Sequence, residues 1–207
     1  AASTQYGSSG WHSITDTAQI TYGDIVPFSN RGPGSTGQVG PDLAANGGYG
    51  TGASLLNFMW VASGVDSRHA FGTWAGTSRS TPVAAGAMAL VYDAFERKHG
   101  RFPTWAEARS ILKSGARFAG YDPLTMGAGV VDAADAVRIA GGLNGVHALP
   151  DEWNVGGYRG QEYGGFAKLV APGEVATKTF TLRNASDKAV TVDLSAQHLR
   201  RLKGQDG

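Results

Sequence analysis

The apolar positions between residues 81 and 98 recur with the period of an α-helix. Five of them share one helical face: Val83, Ala87, Leu90, Val91 and Ala94. Pro82 suits the first turn of such a helix, because a residue there needs no partner for an N–H group. Gly100 follows the last turn, where glycine commonly ends helices. The pattern therefore predicts a helix over residues 81–98 with a buried apolar face.

Two further helices are predicted downstream. Thr104 followed by Glu107 has the spacing of a capping box, in which each residue binds the other's backbone N–H. In the helix that follows, Ala108, Ile111 and Leu112 are assigned to the buried face, whereas Ser110 and Lys113 are assigned to the outer face. A third helix is predicted over residues 131–140.

Strands are predicted with less support from periodicity. Residues 25–28 read as a short strand, and residues 55–61 as a strand or the lining of a cleft. Residues 1–23 read as a loop insertion, and residues 29–53 contain too much glycine for regular structure. Phe71 and Trp74 are assigned to core packing, with the lining of a cleft together with His69 as the alternative.

After Pro150 the pattern changes to strand-like alternation. Residues 176–182 and 189–194 read as two strands joined by a turn at residues 184–187. This is typical of the opening hairpin of an immunoglobulin- or fibronectin-like sandwich. Because two strands do not make a stable sandwich, we expect the module to be cut short or completed by a partner.

Ser78 has the surroundings that a nucleophile requires. It lies in the sequence Gly-Thr-Ser-Arg-Ser-Thr-Pro at residues 76–82, which places it just ahead of the predicted helix. Backbone N–H groups and the positive end of the helix dipole stabilise an oxyanion at such a place. The competing interpretation is a serine that only caps the helix.

This stretch resembles the serine signature of the subtilisin-like proteases, the subtilases, which reads Gly-Thr-Ser-x-Ser/Ala-x-Pro before a helix. Residues 26–33, 40–47 and 127–136 resemble three further segments of that family, in the same order. Three positions depart from the family pattern. Asn30 replaces a serine, Asn46 replaces the usual proline, and Arg79 stands where many members carry methionine.

The resemblance implies an α/β fold: the C-terminal portion of a subtilisin-like parallel-sheet domain, followed by a partial all-β segment. Accordingly, we assign residues 1–145 to the catalytic domain, 146–165 to a linker and 166–207 to the first strands of a β-sandwich. The implied activity is that of a serine endopeptidase, which hydrolyses peptide bonds of a polypeptide substrate through an acyl-enzyme on Ser78. Gly76 is expected to adopt a backbone shape open to glycine alone, or to let the substrate approach closely.

The other residues of a subtilase triad are missing from their usual contexts. His12, His69 and Asp16 lack the glycine-rich neighbours of the family's histidine and aspartate motifs, and no asparagine precedes Phe28. A lone serine hydroxyl needs a base to attack an amide. The resemblance therefore implies that an upstream fragment of the same precursor, or a separate chain, supplies the Asp, the His and the oxyanion Asn.

We expect the chain by itself to be inactive and incompletely folded. The alternative interpretation is a non-catalytic, subtilase-derived domain that binds peptide or protein.

Composition excludes several other functions. Lys and Arg number 18 against 17 Asp and Glu, so no strong field attracts nucleic acid or an acidic membrane. Cysteine is absent, and the longest apolar run is far below the roughly 20 residues that span a bilayer. A secreted or extracytoplasmic location agrees with these features.

No cofactor is required for the implied chemistry, although structural calcium is an open expectation. The candidate calcium carboxylates are Asp42, Asp66 and Asp122, with no ligand set assigned. Ser110 and Lys113 also match a Ser-x-x-Lys catalytic dyad, a short pattern that is common by chance.

Overall fold

The computed structural model describes residues 25–26, 28–34, 39–48, 50–53, 71–153, 157–158, 161–162 and 171–196. The predictions for residues 1–23 and 55–61 lie outside this part. The described helices are α1 (Thr77–His99), α2 (Trp105–Ser114), α3 (Pro123–Met126) and α4 (Ala133–Ala140). The described strands are β1 (Gly50–Ala53), β2 (Phe71–Trp74), β3 (Val146–Leu149), β4 (Gly157–Tyr158), β5 (Gln161–Glu162) and β6 (Thr181–Asn184).

The main hydrophobic core lies between α1, α2 and α4. Each of these helices contributes three buried residues: Ala87, Val91 and Phe95 from α1, Ala108, Ile111 and Leu112 from α2, and Ala136, Ile139 and Ala140 from α4. The three apolar residues that their spacing assigned to the buried face of α2 are therefore buried.

Helix α1 is longer than predicted, and its buried stripe is narrower. It begins at Thr77 instead of residue 81, and it ends as predicted before Gly100, which has a φ of 66°. Ala87 and Val91 are buried as expected, but Val83 is 41% exposed and Leu90 is 52% exposed. The prediction was wrong for these two residues because α2 and α4 cover only the other side of the helix.

The predicted capping box of α2 is present, and α4 has an N-cap that was not predicted. The Thr104 hydroxyl accepts from the Glu107 N–H at 3.3 Å, and a Glu107 carboxylate oxygen accepts from the Thr104 N–H at 2.9 Å. At the start of α4, the Asp132 carboxylate accepts from the N–H groups of Ala134 and Asp135. These local patterns are legible in sequence because each cap needs only residues within one turn of the helix.

The described strands form three antiparallel pairs, namely β1 with β2, β3 with β6, and β4 with β5. The predicted parallel sheet is therefore not formed by these strands. Strand β1 lies in the glycine-rich segment for which no regular structure was predicted. Within the predicted strand at residues 25–28, Ile25 is in a β-bridge and Phe28 is in a turn, and the Ser29 N–H donates to the Val26 carbonyl at 3.0 Å.

The C-terminal segment is arranged differently from the predicted hairpin. Strand β6 pairs with β3, which lies within the segment predicted to be a linker, and residues 189–194 are not in a strand. A hydrophobic pattern predicts a strand but not its partner, and here the partner is β3, which is hydrogen-bonded to α2 through Ala148 and Ser110. The appended sandwich is not confirmed, and the domain boundaries remain a prediction.

Candidate active site

The site is built on a contact between two loops that are distant in sequence. The Ala44 N–H donates to the Gly129 carbonyl at 2.9 Å, and the Val131 N–H donates to the Ala44 carbonyl at 2.8 Å. Gly127 has a φ of +64°, and a Cβ atom there would lie 2.1 Å from the Asp42 carbonyl oxygen. This close approach requires glycine. The contact between residues 40–47 and 127–136 therefore depends on the glycine at position 127.

A third segment, which carries Ser78, is fixed on the same loop. The Gly76 N–H donates to the Gly47 carbonyl at 2.8 Å, just before Ser78. The Ser80 hydroxyl donates to the Ala45 carbonyl at 3.0 Å, just after it. The nucleophile candidate therefore lies between two anchors to the loop 45–48.

The fourth resembling segment packs underneath. Ile25 forms a small buried cluster with Ala44 and Met126, and the Gly32 N–H donates to the Leu124 carbonyl at 2.7 Å. All four segments singled out in the sequence are thus joined, directly or through one another, in one compact region. Sequence order alone did not determine this arrangement.

Ser78 is exposed and lies in the first turn of α1, as its second residue. The prediction that Ser78 precedes the helix was therefore wrong, because the helix begins about one turn earlier than predicted. The first N–H groups of a helix have no partner within it, and the positive end of the helix dipole lies there. The arrangement can stabilise negative charge that develops beside the Ser78 hydroxyl.

Pro82 is the sixth residue of α1, so its predicted place in the first turn is also wrong. Because proline has no N–H group, the Ser78 carbonyl receives no hydrogen bond from the position four residues on. In the same turn, the Thr81 hydroxyl donates to the Thr77 carbonyl at 3.2 Å. Pro82 thus removes one helical hydrogen bond from Ser78, the candidate nucleophile.

Gly76 does not have the glycine-only backbone that was one of its two predicted roles. Its φ of 160° and ψ of 156° describe extended backbone that any residue adopts. A Cβ atom there would meet the Ser78 nitrogen at 3.7 Å, an ordinary contact. Only the other predicted role, close approach of the substrate, stays a prediction.

Neither described histidine serves as a base for Ser78. His99 is the last residue of α1, and the 1.5 Å rise per residue puts it about 30 Å from Ser78 along the helix. His147 is buried, and its Nδ1 lies 3.2 Å from the Ser110 hydroxyl. Burial and, to a smaller extent, the Arg183 charge lower the pKa of His147. His12, His69 and Asp16 lie outside the described residues.

Ser110 and Lys113 do not form a catalytic dyad, and their assignment to an outer face was wrong. Ser110 is 0% exposed and donates to the Ala148 carbonyl at 2.5 Å, because β3 covers this side of α2. Burial lowers the pKa of Lys113, but hydrogen bonds to Glu152 and Asp151 outweigh it and leave the pKa raised. A lysine held in its charged form is not a base.

The described calcium candidates have other roles. Asp42 faces Lys113 at 3.4 Å and Arg109 at 3.8 Å, whereas Asp122 caps α3 by accepting from the Leu124 N–H. Within the described ranges, no group of three or more acidic, histidine or cysteine side chains is placed to hold a metal ion. Asp66 lies outside those ranges, and structural calcium stays an expectation.

Sequence reasoning missed the role of Arg79 and Asn46. The Arg79 guanidinium donates to the Asn46 side-chain oxygen at 3.1 Å and to the Gly48 carbonyl at 2.8 Å. Both residues had been noted only as departures from a familiar pattern. Asn30 departs from the pattern as well, so the sequence carried no signal that these two positions contact each other.

These features define a serine site at the start of a long helix, which is the class of site that the sequence resemblance implies. The chain belongs to the subtilase family of subtilisin-type serine proteases, whose sequence model matches residues 1–140. The α/β class of that family agrees with the described helices and strands.

Two relatives are similar to this chain. It is 31% identical over 127 residues to the serine protease AprX of Bacillus subtilis, and the matched region covers 59% of this chain and 27% of AprX. It is 32% identical over 139 residues to pyrolysin of Pyrococcus furiosus, and the matched region covers 62% of this chain and 9% of pyrolysin. The chain thus spans less than a third of either relative.

Proposed function

We propose that this protein is a serine endopeptidase of the subtilisin type, which cleaves polypeptides through an acyl-enzyme on Ser78. The observation that carries the proposal is the position of Ser78. It is exposed in the first turn of a 23-residue helix, between two anchors to a loop that the family pattern also contains. A serine that only capped the helix would stand at position 76, where this helix has glycine and no side-chain cap.

The chemistry assigned to this chain is attack and charge stabilisation. The Ser78 Oγ attacks the substrate carbonyl carbon, and its proton passes to a histidine base. The carbonyl oxygen becomes negative and is stabilised by the Ser78 N–H and the positive end of α1. The histidine returns the proton to the amine, whose departure leaves an ester on Ser78, and water then hydrolyses this ester and restores the hydroxyl.

The Asp, the His and the oxyanion Asn are proposed to come from an upstream segment or a separate chain. Two observations support this. The family motifs for these residues are absent from the sequence, and of the described histidines, His99 lies at the far end of α1 and His147 is buried against Ser110. Val83 and Leu90 leave an apolar side of α1 exposed, which suits contact with further protein.

An extracytoplasmic location belongs to the same proposal. No helix in the described part of the chain has the length and apolar character to cross a membrane.

A fluorophosphonate probe applied to the complete enzyme tests the role of Ser78. We expect one labelled peptide that contains Ser78, and Ser78→Ala should abolish both labelling and peptide hydrolysis. Ser114→Ala is the matched control, because Ser114 is exposed at the end of α2. Labelling at another serine, or hydrolysis by the Ser78→Ala variant, contradicts the assignment.

The second candidate function is a peptide- or protein-binding domain without catalysis. It is favoured by the missing Asp and His motifs. The same experiment separates the two functions, because a vestigial Ser78 stays unlabelled in the complete protein while binding of peptide persists.

A further inference from the structure

We infer that Arg79 is a positioning residue for the nucleophile, and that Asn46 is its partner. The inference rests on the proposed function of Ser78 and extends it. The Arg79 guanidinium ties the turn that carries Ser78 to the loop 45–48, through the Asn46 side chain and the Gly48 backbone.

Both contacts are made by one nitrogen of the guanidinium. A single nitrogen, Nη1, donates to the Asn46 Oδ1 at 3.1 Å and to the Gly48 carbonyl at 2.8 Å. That nitrogen carries two hydrogens, so both are used. The bonds are charge-assisted and partly buried, which makes them stronger than neutral bonds in water.

Arg79 completes a set of anchors on both sides of Ser78. The Gly76 N–H binds the Gly47 carbonyl on one side, and the Ser80 hydroxyl binds the Ala45 carbonyl on the other. Together with Arg79, they connect residues 76–80 to four successive residues, 45–48. The loop is in turn fixed at Ala44 by hydrogen bonds to Gly129 and Val131.

The anchoring matters for the reaction because attack depends on the position of one oxygen atom. A displacement of about 1 Å in a catalytic group costs on the order of 10²-fold in rate. Pro82 removes one helical hydrogen bond from the Ser78 carbonyl. The turn therefore depends more on its contacts with the loop 45–48 than a regular helix start would.

The two partners are also the two positions near Ser78 where this chain departs from the subtilase pattern. A methionine at position 79 has no N–H to donate, and a proline at position 46 has no side-chain acceptor. Arginine and asparagine therefore function as a pair. Replacement of Arg79 removes the donor to the Asn46 Oδ1, and replacement of Asn46 removes one acceptor of the Arg79 guanidinium.

A double-mutant cycle on the complete enzyme tests the inference. The variants are Arg79→Met, Asn46→Ala and the double variant, assayed for kcat and KM per active site counted by fluorophosphonate titration. We expect Arg79→Met to lower kcat by about 30-fold with KM within about twofold, since position and not binding is lost. Asn46→Ala should lower kcat by about fivefold because the Gly48 carbonyl remains, and the double variant should be no slower than Arg79→Met.

Two further variants exclude a purely structural role. Arg97→Met makes the same change on the same helix, at an exposed residue paired with Asp93 at 3.0 Å, and should leave kcat unchanged. Arg79→Lys keeps one charged donor and should recover part of the lost kcat.

Three results overturn the inference while Ser78 is still labelled. They are a kcat per site within twofold of wild type in Arg79→Met, a loss only in the number of active sites, and losses that multiply in the double variant. An unlabelled Ser78 in the wild type overturns the proposed function and therefore also the inference.

Discussion

At the scale of single residues, charge and burial decide which polar groups are structural. Glu107 is buried and binds Arg101 through both carboxylate oxygens, at 3.0 and 2.9 Å. These hydrogen bonds, opposed by burial and aided by the Thr104 N–H and hydroxyl, lower the pKa of Glu107 to about 2. A charge held this firmly belongs to the architecture of α2 and not to proton transfer.

The lowered pKa predicts a pH-dependent contribution to stability. The unfolded carboxyl titrates near 4.5, so the stabilisation is complete above that pH and is lost as pH falls from about 4.5 through about 2. Glu107→Gln should therefore lower the melting temperature at pH 7 and converge with the wild type near pH 2. Circular dichroism melts across this range measure the difference.

Glu96→Gln, an exposed substitution on α1, is the control and should track the wild type. A difference between Glu107→Gln and the wild type that stays constant with pH would contradict the assigned role of the carboxylate charge.

At the scale of elements, the loop contact beneath the site depends on glycine. Gly127 combines a positive φ with Asp42 backbone atoms 2.1 to 2.2 Å from where a Cβ would lie. Gly120, at a φ of +89°, has open space around the same position. Alanine at position 120 therefore introduces backbone strain alone, whereas alanine at position 127 introduces both strain and a steric clash.

Gly127→Ala should separate the two loops and lower both stability and activity, whereas Gly120→Ala should cost only about 1–2 kcal/mol of strain. We expect Gly127→Ala to raise hydrogen exchange at the Ala44 and Val131 amides, which bridge the loops. Mass spectrometry of exchanged peptides gives the readout. Equal exchange in the two variants contradicts the close approach.

At the scale of the whole molecule, an ion cluster joins α2 to the segment after β3. Lys113 lies 3.0 Å from Asp151 and 2.9 Å from Glu152, and Arg109 lies 2.8 Å from Asp151. The Lys113 side chain is 11% exposed and that of Asp151 is 7% exposed. Together with the hydrogen bond from Ser110 to the Ala148 carbonyl, the cluster attaches the segment predicted as a linker to the helical core.

Lys113→Met should destabilise the protein by about 1–3 kcal/mol, because it leaves Asp151 with Arg109 as its remaining cation in the cluster. Urea unfolding measures the loss. Lys98→Met, which removes an ion pair with the exposed Asp187, is the matched control and should cost less than about 1 kcal/mol. Equal losses in the two variants indicate that burial adds nothing to the cluster.

The sequence by itself determined the features that depend on neighbouring residues. The capping box of Thr104 and Glu107, the helix end at Gly100 and the buried face of Ala108, Ile111 and Leu112 all follow from spacing within a few turns. The family, and Ser78 as the candidate nucleophile, also follow from short motifs in a fixed order.

Tertiary structure decided everything that depends on which segments meet. It buried Ser110 under β3, left Val83 and Leu90 exposed, and paired β6 with β3. It also joined Arg79 to Asn46 across 33 positions of the chain. Local sequence specifies what a residue is able to contact, but only the packing of distant segments brings a particular partner within reach.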